Sequence, residues 1–158
     1  RSSDLERFVS SFVLMANYSE MNDQNQYTQA FTESNSIVGN FTYNFSLVKT
    51  GTSFNASYNY TRFNNNFNGV STHGPVAGIS NRFFDNKLTT SFNINYQKRS
   101  VEGTDDGGIF QSSLRFSYKI KKKHTINIEG YYTKNNSNNV SSFTYNEQRL
   151  SLRYGYVF

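Results

Sequence analysis

From Thr52 to Phe158, apolar residues alternate with small or polar ones, and the sequence closes on Leu150, Leu152, Tyr154, Tyr156 and Phe158. A side-chain period of two means a β-strand whose two faces meet different surroundings. Turn signals divide the alternation into eight predicted strands, at 7–19, 34–48, 52–63, 75–84, 88–99, 109–120, 124–134 and 142–158. Their connections alternate in length. Lys49-Thr50-Gly51, Asp85-Asn86 and Lys121-Lys122-Lys123 are short, whereas the Asn-, Gln- and Ser-rich stretches near 20–33, 64–74, 100–108 and 135–141 are long.

Residues paired across a hairpin share a face, so each turn tests the alternation. A two-residue Thr50-Gly51 turn would set Leu47 opposite Phe54, Phe45 opposite Ala56 and Phe41 opposite Tyr60, all apolar. A two-residue Asp85-Asn86 turn, both residues tolerant of positive φ, sets Phe83 opposite Leu88 and Ile79 opposite Phe92. A three-residue turn centred on Lys122 sets Ile120 opposite His124, Tyr118 opposite Ile126 and Phe116 opposite Ile128. The opposite face carries Ser, Asn, Thr, Gln and Arg, which suits a wet interior. In the first segment both faces are apolar: Phe8, Phe12, Leu14 and Tyr18 on one, Val9, Val13 and Met15 on the other. Its inner face is therefore expected to pack on a plug or on more of the same polypeptide.

Composition narrows the phase that the apolar face meets. The 158 residues are 35% hydrophobic with a mean hydropathy of -0.69, and no stretch approaches the ~18 apolar residues of a spanning helix. Strands that spend every second residue on lipid remain compatible with both values. With 12 Tyr and 15 Phe, the chain is too aromatic to be disordered. The predicted fold is a single domain over 1–158, an antiparallel transmembrane β-barrel of about eight strands with short periplasmic turns and long extracellular loops. No cysteine is present, so disulfides and thiolate metal sites are excluded. Arg1 stands where an initiator Met would, and no signal peptide is visible, so a processed form or a piece of a longer chain is expected.

A repeat of 36 residues links Tyr60 with Arg62, Tyr96 with Lys98, and Tyr132 with Lys134, since 96 − 60 = 132 − 96 = 36. Each pair has the lipid-facing parity at the extracellular end of its strand. A ring at the interface with a long cation beyond it makes an aromatic girdle with snorkelling residues. The cations also suit lipopolysaccharide phosphates in the outer leaflet.

The ending Arg149-Leu150-Ser151-Leu152-Arg153-Tyr154-Gly155-Tyr156-Val157-Phe158 and the turn Arg82-Phe83-Phe84-Asp85-Asn86-Lys87-Leu88 carry a resemblance. They resemble the C-terminal barrel of Gram-negative outer-membrane proteins, specifically the Asn-, Tyr- and Phe-rich barrels of the Bacteroidota. The resemblance implies a location in the bacterial outer membrane. It also implies that Tyr156 and Phe158 form the signal read by the barrel-assembly machinery during biogenesis, and it names an architecture without an activity.

Among candidate sites, Arg115, Glu129 and Arg153 have lumen parity on consecutive strands, with Arg115 directly opposite Glu129; Lys119, Glu147 and Arg149 share that parity. Such charges must pair or stay hydrated, so they form either a structural polar network or an ion-selective constriction. No catalytic or metal site is expected. His73 and His124 are the only histidines and lack ligand or triad spacing, although Ser71 or Ser80 could neighbour His73. No cofactor is implied. The +5 net charge does not suggest nucleic acid, because most aromatics belong to the lipid stripe. Asn17, Asn40, Asn44, Asn55, Asn59 and Asn139 begin Asn-X-Ser/Thr triplets, but most fall in predicted strands. The leading functional expectation is an anchor or surface-interaction barrel, with other outer-membrane proteins as partners. The alternative is the C-terminal strands of a larger pore or transporter, and a soluble lipid-binding calyx would show the same alternation turned inside out.

Overall fold

A computed structural model of the chain describes residues 8–24, 31–66, 68–120, 123–138 and 144–157. The predicted strand count is borne out. The elements are β1 (Phe8–Gln24), β2 (Phe31–Leu47), β3 (Thr52–Asn65), β4 (Gly69–Phe83), β5 (Leu88–Val101), β6 (Thr104–Ile120), β7 (His124–Asn136) and β8 (Tyr145–Tyr156). They form one antiparallel sheet in chain order, with no helix among the described residues.

Register keeps the two faces chemically separate across the whole sheet. One hydrogen-bonded row runs Phe45, Phe54, Ile79, Phe92, Leu114, Gly130, Leu150; the adjacent row on the other face runs Ser46, Ser53, Ser80, Ser91, Arg115, Glu129, Ser151. No hydrophobic side chain is buried among the described residues; apart from Gly74 and Gly108, the buried residues are polar or charged: Ser34, Thr52, Asp106, Glu129 and Asn135. A calyx holding lipid inside would shelter its apolar face instead. Along β3 the apolar-face residues Phe54, Ala56 and Tyr58 are exposed, while Asn55, Ser57 and Asn59 between them are half-buried. On β3 the polar face is thus the more sheltered one, as on the concave side of a curved sheet.

The hairpins at Asp85-Asn86 and after Ile120 have the expected registers, with Phe83 opposite Leu88, Ile79 opposite Phe92, Ile120 opposite His124 and Arg115 opposite Glu129. Asp85 and Asn86 have φ of 54° and 64°, and Lys87 N donates to Phe84 O at 3.0 Å, closing the turn around them. The β2–β3 hairpin differs from expectation. Its turn spans 48–51 and pairs Leu47 with Thr52, Phe45 with Phe54 and Phe41 with Tyr58, two residues away from the predicted register. A shift of two leaves every side chain on its predicted face, because face alternates with period two.

The long loops are the larger correction. Strands occupy 20–24, 31–33, 64–65, 69–74, 100–101 and 104–108, so the predicted loops at 64–74 and 100–108 shrink to 66–68 and 102–103. Glu102 and Gly103, with φ of 51° and 77°, make a tight reversal. Where both faces of a strand meet water the alternation ends, while the backbone still gains from pairing. β8 begins at Tyr145, later than the predicted 142.

β1 and β8 are lateral edges. No Cα of β1 lies within 8 Å of a Cα of β8. Phe12, Leu14, Leu150 and Leu152 on these edges are 73–78% exposed, whereas Phe41, Phe92 and Phe116 on interior strands are 38–47% exposed.

Candidate functional site

Most charged residues of the polar face lie on β6, β7 and β8, with Arg82 on β4 and Arg99 on β5 the exceptions among interior strands. Strands β2 to β5 present mostly Ser, Thr and Asn there, tied by side-chain hydrogen bonds such as Ser46 to Ser53 (3.0 Å) and Asn95 to Gln111 (3.1 Å). On β6 and β7 the chain instead sets Arg115 against Glu129. Arg115 Nε donates to Glu129 Oε1 at 2.9 Å, its Nη2 donates to the same oxygen, and so does the Tyr131 hydroxyl. Arg149, opposite Tyr131, places its guanidinium carbon 4.9 Å from the centre of that ring.

Glu129 is therefore buried under two donors, while the Arg115 side chain remains 56% exposed. Arg153 lies opposite Asn127, one row from Glu129, and makes no ion pair among the described residues. A polar cleft of about 230 Å³ between the two arginines is lined by Arg115, Asn127, Glu129, Ser151 and Arg153. The structure thus brings the predicted residues together, with direct contact only between Arg115 and Glu129. Tyr131 and the ring contact of Arg149 were not foreseen; the available signal was an aromatic residue interrupting the polar parity of β7.

Tyr60, Tyr96 and Tyr132 lie on the apolar face, along an oblique line. The row through Tyr60 passes His73 and meets β5 at Lys98, two residues beyond Tyr96; the row through Tyr96 passes Phe110 and meets β7 at Lys134, two beyond Tyr132. Two residues rise ~6.7 Å and two strand spacings are ~9.6 Å, which inclines the line through the tyrosines ~35° to the rows. Of the accompanying cations, Arg62 Nε donates to Asn64 Oδ1 at 3.2 Å, Lys98 pairs with Asp105 at 2.8 Å, and Lys134 is exposed.

From the Lys98 row outward, two ion pairs clamp the β5–β6 tip. They are Lys98–Asp105 and Arg99–Asp106, each at 2.8 Å. The Lys98 ammonium, followed by the Gly107 N–H, holds the Asp105 carboxyl below its ordinary value of 3.8.

His73 lies on the apolar face beside the rings of Tyr58 and Tyr60, with Ser71 on the same face and Ser80 on the other. His124 Nδ1 shares a hydrogen bond with the Tyr154 hydroxyl, and its ring lies 4.9 Å from that of Tyr156. Among the described residues, no three His, Asp or Glu side chains are grouped as metal ligands. Tyr156 ends β8; Phe158 and Asn139 lie outside the described residues.

Among solved structures, the chain is similar to OmpT, an outer membrane protein of Vibrio cholerae, in its in-vitro folded trimer form. The match has a TM-score of 0.55 at 11% identity and covers 93% of this chain. The fold is that of an outer-membrane β-barrel. Only 52% of that protein's chain is covered, so the present chain spans about half its length. No family model and no curated protein matches the sequence.

Proposed function

We propose that these eight strands are part of the wall of a wider outer-membrane barrel, whose polar face lines a water-filled pore for solutes. The observation that carries this reading is the pair of free edges: β1 and β8 have no contact with each other. An unpaired strand edge at membrane depth would leave backbone N–H and C=O groups without water, so each edge needs another strand. The chemistry of the edges also differs. The concave face of β8 carries Glu147, Arg149 and Arg153, whereas that of β1 carries Val9, Val13 and Met15. Placing these edges side by side would set charges against apolar groups.

The tyrosine line supports a membrane setting. If Tyr60, Tyr96 and Tyr132 mark one interface, the strands tilt ~35° from the bilayer normal, within the range of transmembrane barrels. Lipopolysaccharide phosphates would then meet Arg62 and Lys134 just outside that line. The mass of the intact native polypeptide from purified outer membranes tests the reading. A mass well above 18.2 kDa, together with single-channel conductance, is expected. A monomer near 18.2 kDa without conductance would establish a small closed barrel with an anchoring or surface-interaction role.

A further inference from the structure

On the pore reading above, we infer that the lumen face of β6–β8 is a cation ladder that selects anionic solutes, those bearing carboxylate or phosphate groups. Four successive hydrogen-bonded rows across these strands each hold one cation: Lys119 with Thr125 and Gly155; Arg153 with Ser117 and Asn127; Arg115 with Glu129 and Ser151; and Arg149 with Ser113 and Tyr131. Successive rows lie ~6.7 Å apart along the strands. An anion can therefore pass from one cation to the next without leaving the reach of the ladder.

Glu129 is the sole acid in those four rows, with Glu147 in the next row beyond Arg149, and Glu129 is occupied. Arg115 and the Tyr131 hydroxyl bond it, which fixes the Arg115 guanidinium at the cleft wall with its outer edge still exposed. Tyr131 also seats Arg149 through its ring. Arg153 faces the same cleft as Arg115 with no ion pair of its own among the described residues. One carboxylate thus positions the ladder without neutralising it, leaving three net positive charges over the four rows. Acceptor groups on β2 to β5 are uncharged amides and hydroxyls, so they oppose the field weakly. Charged rings and stripes lining a pore set ionic preference in this way.

The test uses the whole native polypeptide in planar bilayers under a KCl gradient, comparing it with a K119Q/R149Q/R153Q variant. Arg115 and Glu129 stay intact so that their contact still holds the sheet. The expected native reversal potential shows a several-fold preference for chloride over potassium. That preference should fall towards parity in the variant and, for the native protein, on raising the salt concentration through screening. Millimolar inorganic phosphate should reduce native chloride current more than variant current. A conducting native protein that prefers potassium, or shows no preference, would overturn the ladder and leave the pore standing. Absence of any conductance would overturn both. If the variant fails to fold, the salt dependence and phosphate effect on the native protein decide the question by themselves.

Discussion

A side chain here is decided first by its face. Phe92 sits on the apolar face between Ile79 and Leu114, and Asn93, the next residue, sits on the polar face between Gly78 and Ser113. Arginine at Phe92 is expected to destabilise the membrane-inserted protein by about 2–4 kcal/mol, and arginine at Asn93 by much less. Urea titration in lipid vesicles would show it, and equal tolerance would invert the two faces. Glycine matters at one crowded crossing. A Cβ at Gly74 would come 1.9 Å from the backbone oxygen of Tyr96, and the preceding residue to Pro75 cannot shift freely. Gly74→Ala should force β4 and β5 apart locally, at about 1–3 kcal/mol, visible as faster amide exchange around Tyr96 and Gln97. Pairing of Arg115 with Glu129 was legible because the turn after Ile120 fixes their register. Tyr131 was not, since alternation says which face a residue takes and nothing about what it touches there.

The registers of β4 with β5 and of β6 with β7 were legible from their turns, whereas the β2–β3 register and the far ends of the strands were not. Asp85 and Asn86 adopt positive φ, which their short polar side chains tolerate, and the register of β4 and β5 follows from that turn. At the far end the sequence Thr104-Asp105-Asp106-Gly107-Gly108 has the composition of a loop, yet its first two acids pair with Lys98 and Arg99 and keep it in the sheet. Local composition cannot reveal partners that lie on another strand. The clamp gives a pH prediction. Because the folded Asp105 carboxyl titrates below 3.8, its contribution is fully present above that ordinary value and is lost as pH falls through the lower, folded one. Protection of the Gly107 amide, which donates to Asp105 Oδ1 at 2.9 Å, measured against its intrinsic exchange rate at each pH, should fall over that acid window and stay flat from neutral pH down to about pH 5. Unchanged protection through acid would show that Arg99–Asp106 alone holds the tip. Asp105→Asn should lower the neutral-pH protection of that amide towards its acid value.

At the scale of the molecule, strand count and face chemistry were readable, but closure was not. Eight strands of the right parity fit a small closed barrel as well as half of a wide one, and only the relative placement of β1 and β8 separates them. The chain has no cysteine, so engineered pairs report their neighbours without interference. A disulfide needs Cα atoms roughly 4.4–6.8 Å apart. In a closed eight-stranded barrel, stepping a cysteine along β8 from Leu150 to Tyr154 against a fixed one at Tyr18 covers the registers that a shear of roughly 8–12 residues would bring within reach. With the edges apart, no register does. Oxidation of the double variants in native membranes is therefore expected to give no intramolecular β1–β8 bridge. A control pair at Phe45 and Phe54, adjacent in the sheet, should bridge readily and shows that the oxidant reaches the strands. One efficient β1–β8 bridge at a single register would close the barrel at eight strands, crowd Arg149 and Arg153 against Val13 and Met15, and return the molecule to the role of a small anchor.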